Sequence, residues 1–273
     1  MVRLAIQAAI LTLTATQALA QPAAPTMLQT RAVRIHPAAE ANQGVAVDDR
    51  AFYAIDNSEI GRYDKKTGAK TGAWSGDPKV FPHLNSCAAV GPELVCASSN
   101  YPVTPMRSTV EVFDRAGLKH LRSIPLGPQP GSLTWVVRRG DAWWAGFANY
   151  DGTGGEPGRD HTATTLVKFD DAWRSLARWT FPRSVLDRFA PSSASGGVWG
   201  ADGLLYVTGH DAAEVYVLRA PEGGGVLVHL ATIAAPVEGQ AIAFDPSAER
   251  TLYGITRKTR EVVVMQLPVV GVK

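Results

Sequence analysis

The chain has 273 residues, 45% hydrophobic and 19% charged, with 27 basic against 25 acidic side chains. This composition excludes wholesale disorder, and Lys and Arg scattered without a run of four exclude a groove that tracks nucleic acid phosphates. The length suits one large all-β domain or two small domains, with room for several layers of core.

Residues 1–20 read as a secretory signal peptide. Arg3 gives a positive start, Leu4 to Ala20 carry no charge, and Ala18-Leu19-Ala20 forms a small-x-small cleavage pattern before Gln21-Pro22. The apolar run is short and holds Gln7 and Gln17, which argues against a membrane span, and no later segment has about 18 uninterrupted apolar residues. The mature chain, residues 21–273, is expected in the periplasm or outside the cell, as one domain with no membrane span.

Beyond the signal, no segment sustains a helical period. Short β-rich runs recur instead, each closed by Gly, Asp or Pro. Residues 44–48 and 52–56, then 60–64 and 70–74, make a four-strand meander. The pattern repeats at about 86–125, 131–181 and 196–234, and three strands follow in about 240–267. Inner strands begin near Gly44, Ser86, Ser132, Gly196 and Gln240, so the steps are about 42, 46, 64 and 44 residues. Four strands per 40 to 50 residues is the signature of propeller blades. The last unit is one strand short, and Thr30 to Ile35 alternates as a strand that can complete it, removing an open sheet edge. The expected fold is an all-β, five-bladed β-propeller of four-stranded antiparallel blades, closed by its N-terminal strand. The insertion in 148–195 reads as a glycine-rich loop plus one short helix, Ser184 to Phe189.

Cys87 and Cys96 flank a tight turn at Gly91-Pro92. If Val90 pairs with Glu93, the two cysteines face each other at a non-hydrogen-bonded pair, where side chains approach most closely. In an oxidising compartment this favours a cross-strand disulfide. The alternative is two buried thiols.

Several segments resemble a family of secreted bacterial propellers placed among the quinoprotein-like and lactonase-like propellers and often labelled cycloisomerase. They include HLNS at His83–Ser86, SSNYP at Ser98–Pro102, GSLTW at Gly131–Trp135 and WWAGFANYD at Trp143–Asp151. TTLVKFDD at Thr164–Asp171, TGHDAAEVYVL at Thr208–Leu218 and EGQAIAFD at Glu238–Asp245 extend the likeness, which spans about residues 40 to 268. The resemblance implies a propeller acting on a small molecule. The lactonase-like relatives have seven blades, which this chain is too short to build.

Loop lengths choose a face. Connections 75–85, 99–107, 149–163 and 182–195 are long and share one rim, whereas the turns of the other rim are short. Long loops without secondary structure are uncommon unless functional or disordered. On the long-loop rim, Asn57, Asn100-Tyr101, Asn149-Tyr150-Asp151, His210-Asp211 and Arg257 hold matching blade positions. Asn85, Glu238 and Gln240 lie at inner-strand starts, with His83 and His161 in the flanking loops. Three of the six histidines thus fall on one rim, and neutral imidazole serves as ligand or base near pH 7.

From these residues His83, His210 and Glu238 are the candidate acid/base groups. Asn85, Asn100 and Asn149 would orient the ligand or coordinate a cation, with Tyr101 and Tyr150 as walls and Asp151, His161, Asp211 and Gln240 as further ligand contacts. Asn before Tyr at a strand end has a plainer role as a turn former whose amide caps the loop. Analogy with other propellers adds a divalent cation, calcium, at the channel mouth. The sequence holds no nucleophile elbow, zinc-protease helix motif or phosphate-binding loop. Two readings follow: an isomerase, lyase or hydrolase working on a small molecule, or a non-catalytic ligand- or protein-binding module of the cell envelope.

Overall fold

Strand burial falls from the inside of each blade to the outside. Gly44–Val47 is buried at every position, whereas Lys70–Ser75 and Lys119–Pro125 are largely exposed. The sequence encodes this directly. Inner strands are runs of small and apolar residues sandwiched between neighbouring blades, and outer strands alternate polar with apolar residues because one face meets water. The computed structural model describes residues 24–271, so the expected signal segment, residues 1–20, lies outside the described residues.

The strands group into five sheets. Numbered in chain order, β1 is Thr26–Gln29 and β2 is Ala32–Pro37. Blade I is Gly44–Val47, Ala51–Asp56, Glu59–Asp64 and Lys70–Ser75 (β3 to β6). Blade II is Leu84–Val90, Glu93–Ser99, Ser108–Asp114 and Lys119–Pro125 (β7 to β10). Blade III is Ser132–Arg139, Ala142–Ala148, Thr165–Phe169 and Ser175–Thr180 (β11 to β14). A seven-residue helix, Arg183–Phe189, leads to blade IV, made of Gly196–Trp199, Leu205–Thr208, Glu214–Arg219 and Val228–Ala234 (β15, β16, β17 and β19). Ala243–Phe244, Thr251–Thr256 and Glu261–Gln266 (β20 to β22) give blade V three strands.

The N-terminal strand completes blade V. β2 pairs antiparallel with β22, from Ala32 against Met265 to Pro37 against Glu261. The chain does more than expected here, because β1 first adds a parallel fifth strand to blade IV. Thr30 links the two blades: its N–H reaches the Ala234 carbonyl at 2.9 Å, and its hydroxyl donates to the Gln266 carbonyl at 2.6 Å. Blade III likewise gains a short parallel fifth strand, Gly225–Val226. One expected strand shrinks. The inner strand read as 240–244 survives only as Ala243–Phe244; just before it Gly239 (φ 63°) and Gln240 (φ 65°) are left-handed, which interrupts a regular ladder at its start.

Five apolar clusters fill the five seams between blades. The seam between blades III and IV is built on Trp135, Trp144, Trp179 and Tyr216. Gly146 and Gly197 make room for Trp135 there, since a Cβ on either would meet its indole at 2.0 and 2.6 Å. Trp143 and Trp144 point to opposite faces of β12: Trp144 stacks on Trp179, and Trp143 stacks on Trp173. Cys87 faces Cys96 in register and the two form a disulfide, with Cα atoms 3.9 Å apart across the Gly91 turn.

Candidate functional site at the long-loop rim

Antiparallel pairing brings inner-strand starts and second-strand ends together. Gly44 lies against Ile55, Leu84 against Ser98, Ser132 against Ala148 and Gly196 against Thr208. Residues just outside these pairs therefore gather at one mouth of the propeller, and the long loops rise from the same end.

His210, Asp211 and Glu238 line one pocket of about 370 Å³ together with Asn42, Arg257 and Lys258. His210 follows the end of β16, and Arg257 follows the end of β21. Gly239 lets blade V press against His210, because a Cβ there would strike the carbonyl oxygens of Gly209 and His210 at 2.4 and 2.5 Å. The His210 Nδ1 lies 2.6 Å from Asp211 Oδ1, and its Nε2 lies 2.9 Å from Arg257 Nη1. A guanidinium only donates, so Nε2 accepts and Nδ1 carries the ring proton toward Asp211. Glu238 accepts the Lys258 backbone N–H at 3.0 Å, and the Lys258 ammonium stands 3.8 Å from its other oxygen.

His83 sits across the mouth on blade II. Its Nδ1 is 2.7 Å from Asn57 Oδ1 of blade I, an oxygen that also accepts from Gln43 at 3.0 Å. The imidazole is thereby held with its proton on Nδ1 and its Nε2 lone pair free of that bond. Burial pushes its pKa down to about 4, the nearby His210 adds to the fall, and Asp56 opposes it. His83 is neutral at neutral pH.

Tyr101 lies against His83 with ring centroids 5.1 Å apart, and Tyr150 lies against Tyr101 at 5.0 Å. Burial raises the Tyr150 pKa, so its phenol stays protonated. Gly154 packs on the Tyr101 ring at a distance no Cβ would tolerate, and the Met106 N–H donates to Glu156 at 2.7 Å. The long loops of blades II and III thus brace each other and hold the aromatic wall.

Asp151 and His161 form a separate group in the blade III loop. Asp151 Oδ1 accepts the His161 backbone N–H at 2.9 Å and lies 2.7 Å from its Nδ1. These bonds hold the Asp151 carboxyl below its usual range, the backbone one foremost, and bonds from Thr162 do the same for Asp160. Among the described residues, Asp151, Asp160 and His161 are the set whose candidate ligand atoms all lie within 4.8 Å of one another. The funnel-mouth residues His83, His210 and Glu238 do not converge in that way.

The asparagines take the plainer role. Asn85 donates to the Leu133 carbonyl at 3.2 Å. Asn100 donates to the Pro105 carbonyl at 3.1 Å and accepts the Arg107 N–H at 2.6 Å. Asn149 is buried and donates to the carbonyls of Pro130 and Ala163 at 2.8 and 3.1 Å. Their amide nitrogens hold loops and blades together. Gln240 is buried too, with its backbone carbonyl accepting the Thr208 hydroxyl. Asn42, Gln43 and Lys258 were missed in the sequence, and Asn57 and Arg257 were placed on the rim without a role. All five flank the strand ends at which the other candidates were found, so blade position was the signal that could have named them.

No protein-family model matches the chain, and no curated protein matches it. Among solved structures, a luciferin-regenerating enzyme aligns with a TM-score of 0.50 and 12% identity, covering 88% of this chain and 96% of that one. A chain of the mitotic checkpoint complex aligns at a TM-score of 0.47 and 9% identity, covering 97% of this chain and all of that one. The Cps50 (Swd1) β-propeller domain of Myceliophteria thermophila aligns at 0.44 and 9%, covering 82% of each. At such identities the likeness concerns architecture alone: the chain is a β-propeller.

Proposed function

We propose that this is an exported small-molecule enzyme of isomerase, lyase or hydrolase type, lactonase- or cycloisomerase-like, working at the long-loop mouth. The observation that carries the reading is the His210 arrangement: an imidazole oriented by Asp211, standing in an open pocket beside the carboxylate of Glu238. A carboxylate on Nδ1 fixes the ring and steadies the imidazolium that forms when Nε2 takes a proton, the logic of an acid/base dyad. His83, neutral and half-enclosed by Tyr101, is a second acceptor across the mouth. The enzyme would meet its substrate in the periplasm or outside the cell.

A divalent cation at the funnel mouth does not fit the residues there. Calcium takes oxygen ligands; the Asn100 amide oxygen already accepts the Arg107 N–H, and no trio of carboxylate and imidazole atoms converges among the described residues of the mouth. The acid/base chemistry is therefore assigned to protein side chains, and calcium is a variable of the assay whose binding groups would be Asp151, Asp160 and His161.

The binding-module reading is favoured by Asn85, Asn100 and Asn149, whose amides serve the scaffold. The two readings separate in one experiment. A panel of lactones, cyclic acids and phosphoesters is assayed with and without calcium, using wild type and His210→Ala. Turnover by wild type that is lost in a folded His210→Ala protein supports the enzyme. Saturable binding without turnover by either protein favours the module.

A further inference from the structure

Arg257 differs from the paired arginines of the rim. Arg260 pairs with Asp56 at 2.7 Å, and Arg188 pairs with Glu214. Among the described residues Arg257 has no carboxylate within ion-pair distance, although it is half-buried at a strand end. Its recorded side-chain partner is the Nε2 of His210, at 2.9 Å. The neighbouring acids are already engaged: Asp211 with His210 and Ser192, Glu238 with Lys258. One guanidinium therefore faces a pocket of about 370 Å³ with most of its five donors unused.

We infer that Arg257 is the anion-recognising residue of this pocket, taking the carboxylate of a small organic acid and, in doing so, releasing the His210 Nε2 lone pair. The inference rests on the enzyme reading only for what the released lone pair then does. At rest Nε2 accepts an Arg257 N–H, so it has no free lone pair with which to take a proton. A carboxylate matches the planar fork of the guanidinium in a two-point bond that an imidazole nitrogen cannot offer. When Arg257 turns to the ligand, Nε2 is uncovered beside it, while Asp211 keeps the ring in place from Nδ1. Ligand binding and base exposure are thus one movement. A single unpaired cation calls for a singly charged ligand, since a phosphate dianion would also meet Glu238 and Asp211. The pocket lies at the small end of the usual range of about 300–1,000 Å³, which suits a ligand of few heavy atoms.

Lactate serves as probe, carrying one carboxylate and one hydroxyl. Its binding is followed by NMR of protein labelled with ¹⁵N at histidine, through the Nε2 resonance of His210. The expected result is a saturable movement of that resonance in wild type. In Arg257→Gln the resonance should start displaced, and lactate should bind about 10- to 100-fold more weakly, the loss of a charged hydrogen-bonded contact. Arg257→Lys, which keeps the charge without the fork, stands in if the Gln variant fails to fold, and should also bind lactate more weakly than wild type. An unmoved His210 resonance in wild type, or equal lactate affinity in wild type and both variants, would overturn the inference. An equal or stronger response to inorganic phosphate would overturn the assignment to carboxylates. Failure of the enzyme reading looks different: lactate would move Nε2 through Arg257 while no compound in the panel was turned over.

Discussion

The two rims of this propeller use similar residues to opposite ends. On the short-turn rim, acids and cations close on one another or on the local backbone. Asp48 accepts the N–H groups of Arg50 and Ala51 at 2.7 Å each and the Tyr53 hydroxyl at 2.8 Å, with Arg115 3.3 Å away. Asp202 repeats the device with Leu204 and Tyr206, and Lys65 ties blade I to Asp245 of blade V at 2.8 Å. On the long-loop rim three imidazoles are each fixed through Nδ1 by a side-chain oxygen, His83 by Asn57, His161 by Asp151 and His210 by Asp211. Each ring is oriented from its Nδ1 side, and at His210 the Nε2 edge meets Arg257 rather than a carboxylate. One rim satisfies its polar groups internally and serves the fold. The other holds groups in place with bonding capacity left over, which is what a site requires.

The sharpest way to break this contrast is His210→Ala. If His210 is the base, turnover should fall by about 10²- to 10⁴-fold, while the melting temperature stays near that of wild type. A variant that unfolds, or that keeps full turnover, would place His210 with the scaffold. Glu238→Ala should also lower turnover, with a small stability cost because it releases the Lys258 N–H.

Acid should titrate the buried His83 before the hydrogen-bonded carboxylates. The folded pKa of His83, about 4, lies below its unfolded value of 6.5, so the unfolded chain binds more protons as pH falls. The stability this group supports is complete above about pH 6.5 and is lost progressively down to about pH 4, roughly 3 kcal/mol in all. His36 and His229, lowered chiefly by burial, push in the same direction. Asp48 of the other rim is held below 3.8 because its hydrogen bonds outweigh the opposing effect of burial, so its contribution goes only in stronger acid. Melting temperatures from pH 7 to pH 4 should fall steadily, and His83→Gln should flatten the curve. An unchanged slope would remove His83 from the account.

Replacing both Cys87 and Cys96 by Ala should cost about 2–3 kcal/mol, the chain-entropy value for so short a loop, without altering turnover. Thiol titration of denatured, unreduced protein should find none free. Smaller still are the changes on the short-turn rim. Asp202→Ala should cost about 1–2 kcal/mol by orphaning the Tyr206 hydroxyl and the Leu204 N–H. Arg139→Ala should cost about 0.5–1 kcal/mol through its lost stacking on Trp199. Both should keep full activity, and a fall in turnover for either would erase the distinction between the rims.

The repeat of short strands at propeller spacing was written in the chain, because alternation, turn residues and blade period are local properties. The missing strand of blade V could be counted, and hairpin register placed Cys87 opposite Cys96, with the expected oxidising compartment favouring a disulfide over two thiols. The side chosen by the long loops was legible too, since strand direction alternates strictly along a meander. The β1 strand on blade IV was not legible, because Thr26–Gln29 is short and its partner lies about two hundred residues away. The strand read at 240–244 was too long for a similar reason: its residues have strand composition, and the left-handed backbone at Gly239 and Gln240 goes with a close approach to blade IV that spacing does not reveal. Among the site residues, local sequence could place Asn85, Asn100 and Asn149 on the rim but could not say what their amides bond. Leu133, Pro105, Pro130 and Ala163 supply that answer across a loop or from the next blade. The partnership of His210 with Arg257 joins residues of two blades, and spacing along the chain carries no trace of it. Period and polarity fix which residues reach the mouth; the closing of the ring decides which of them face one another.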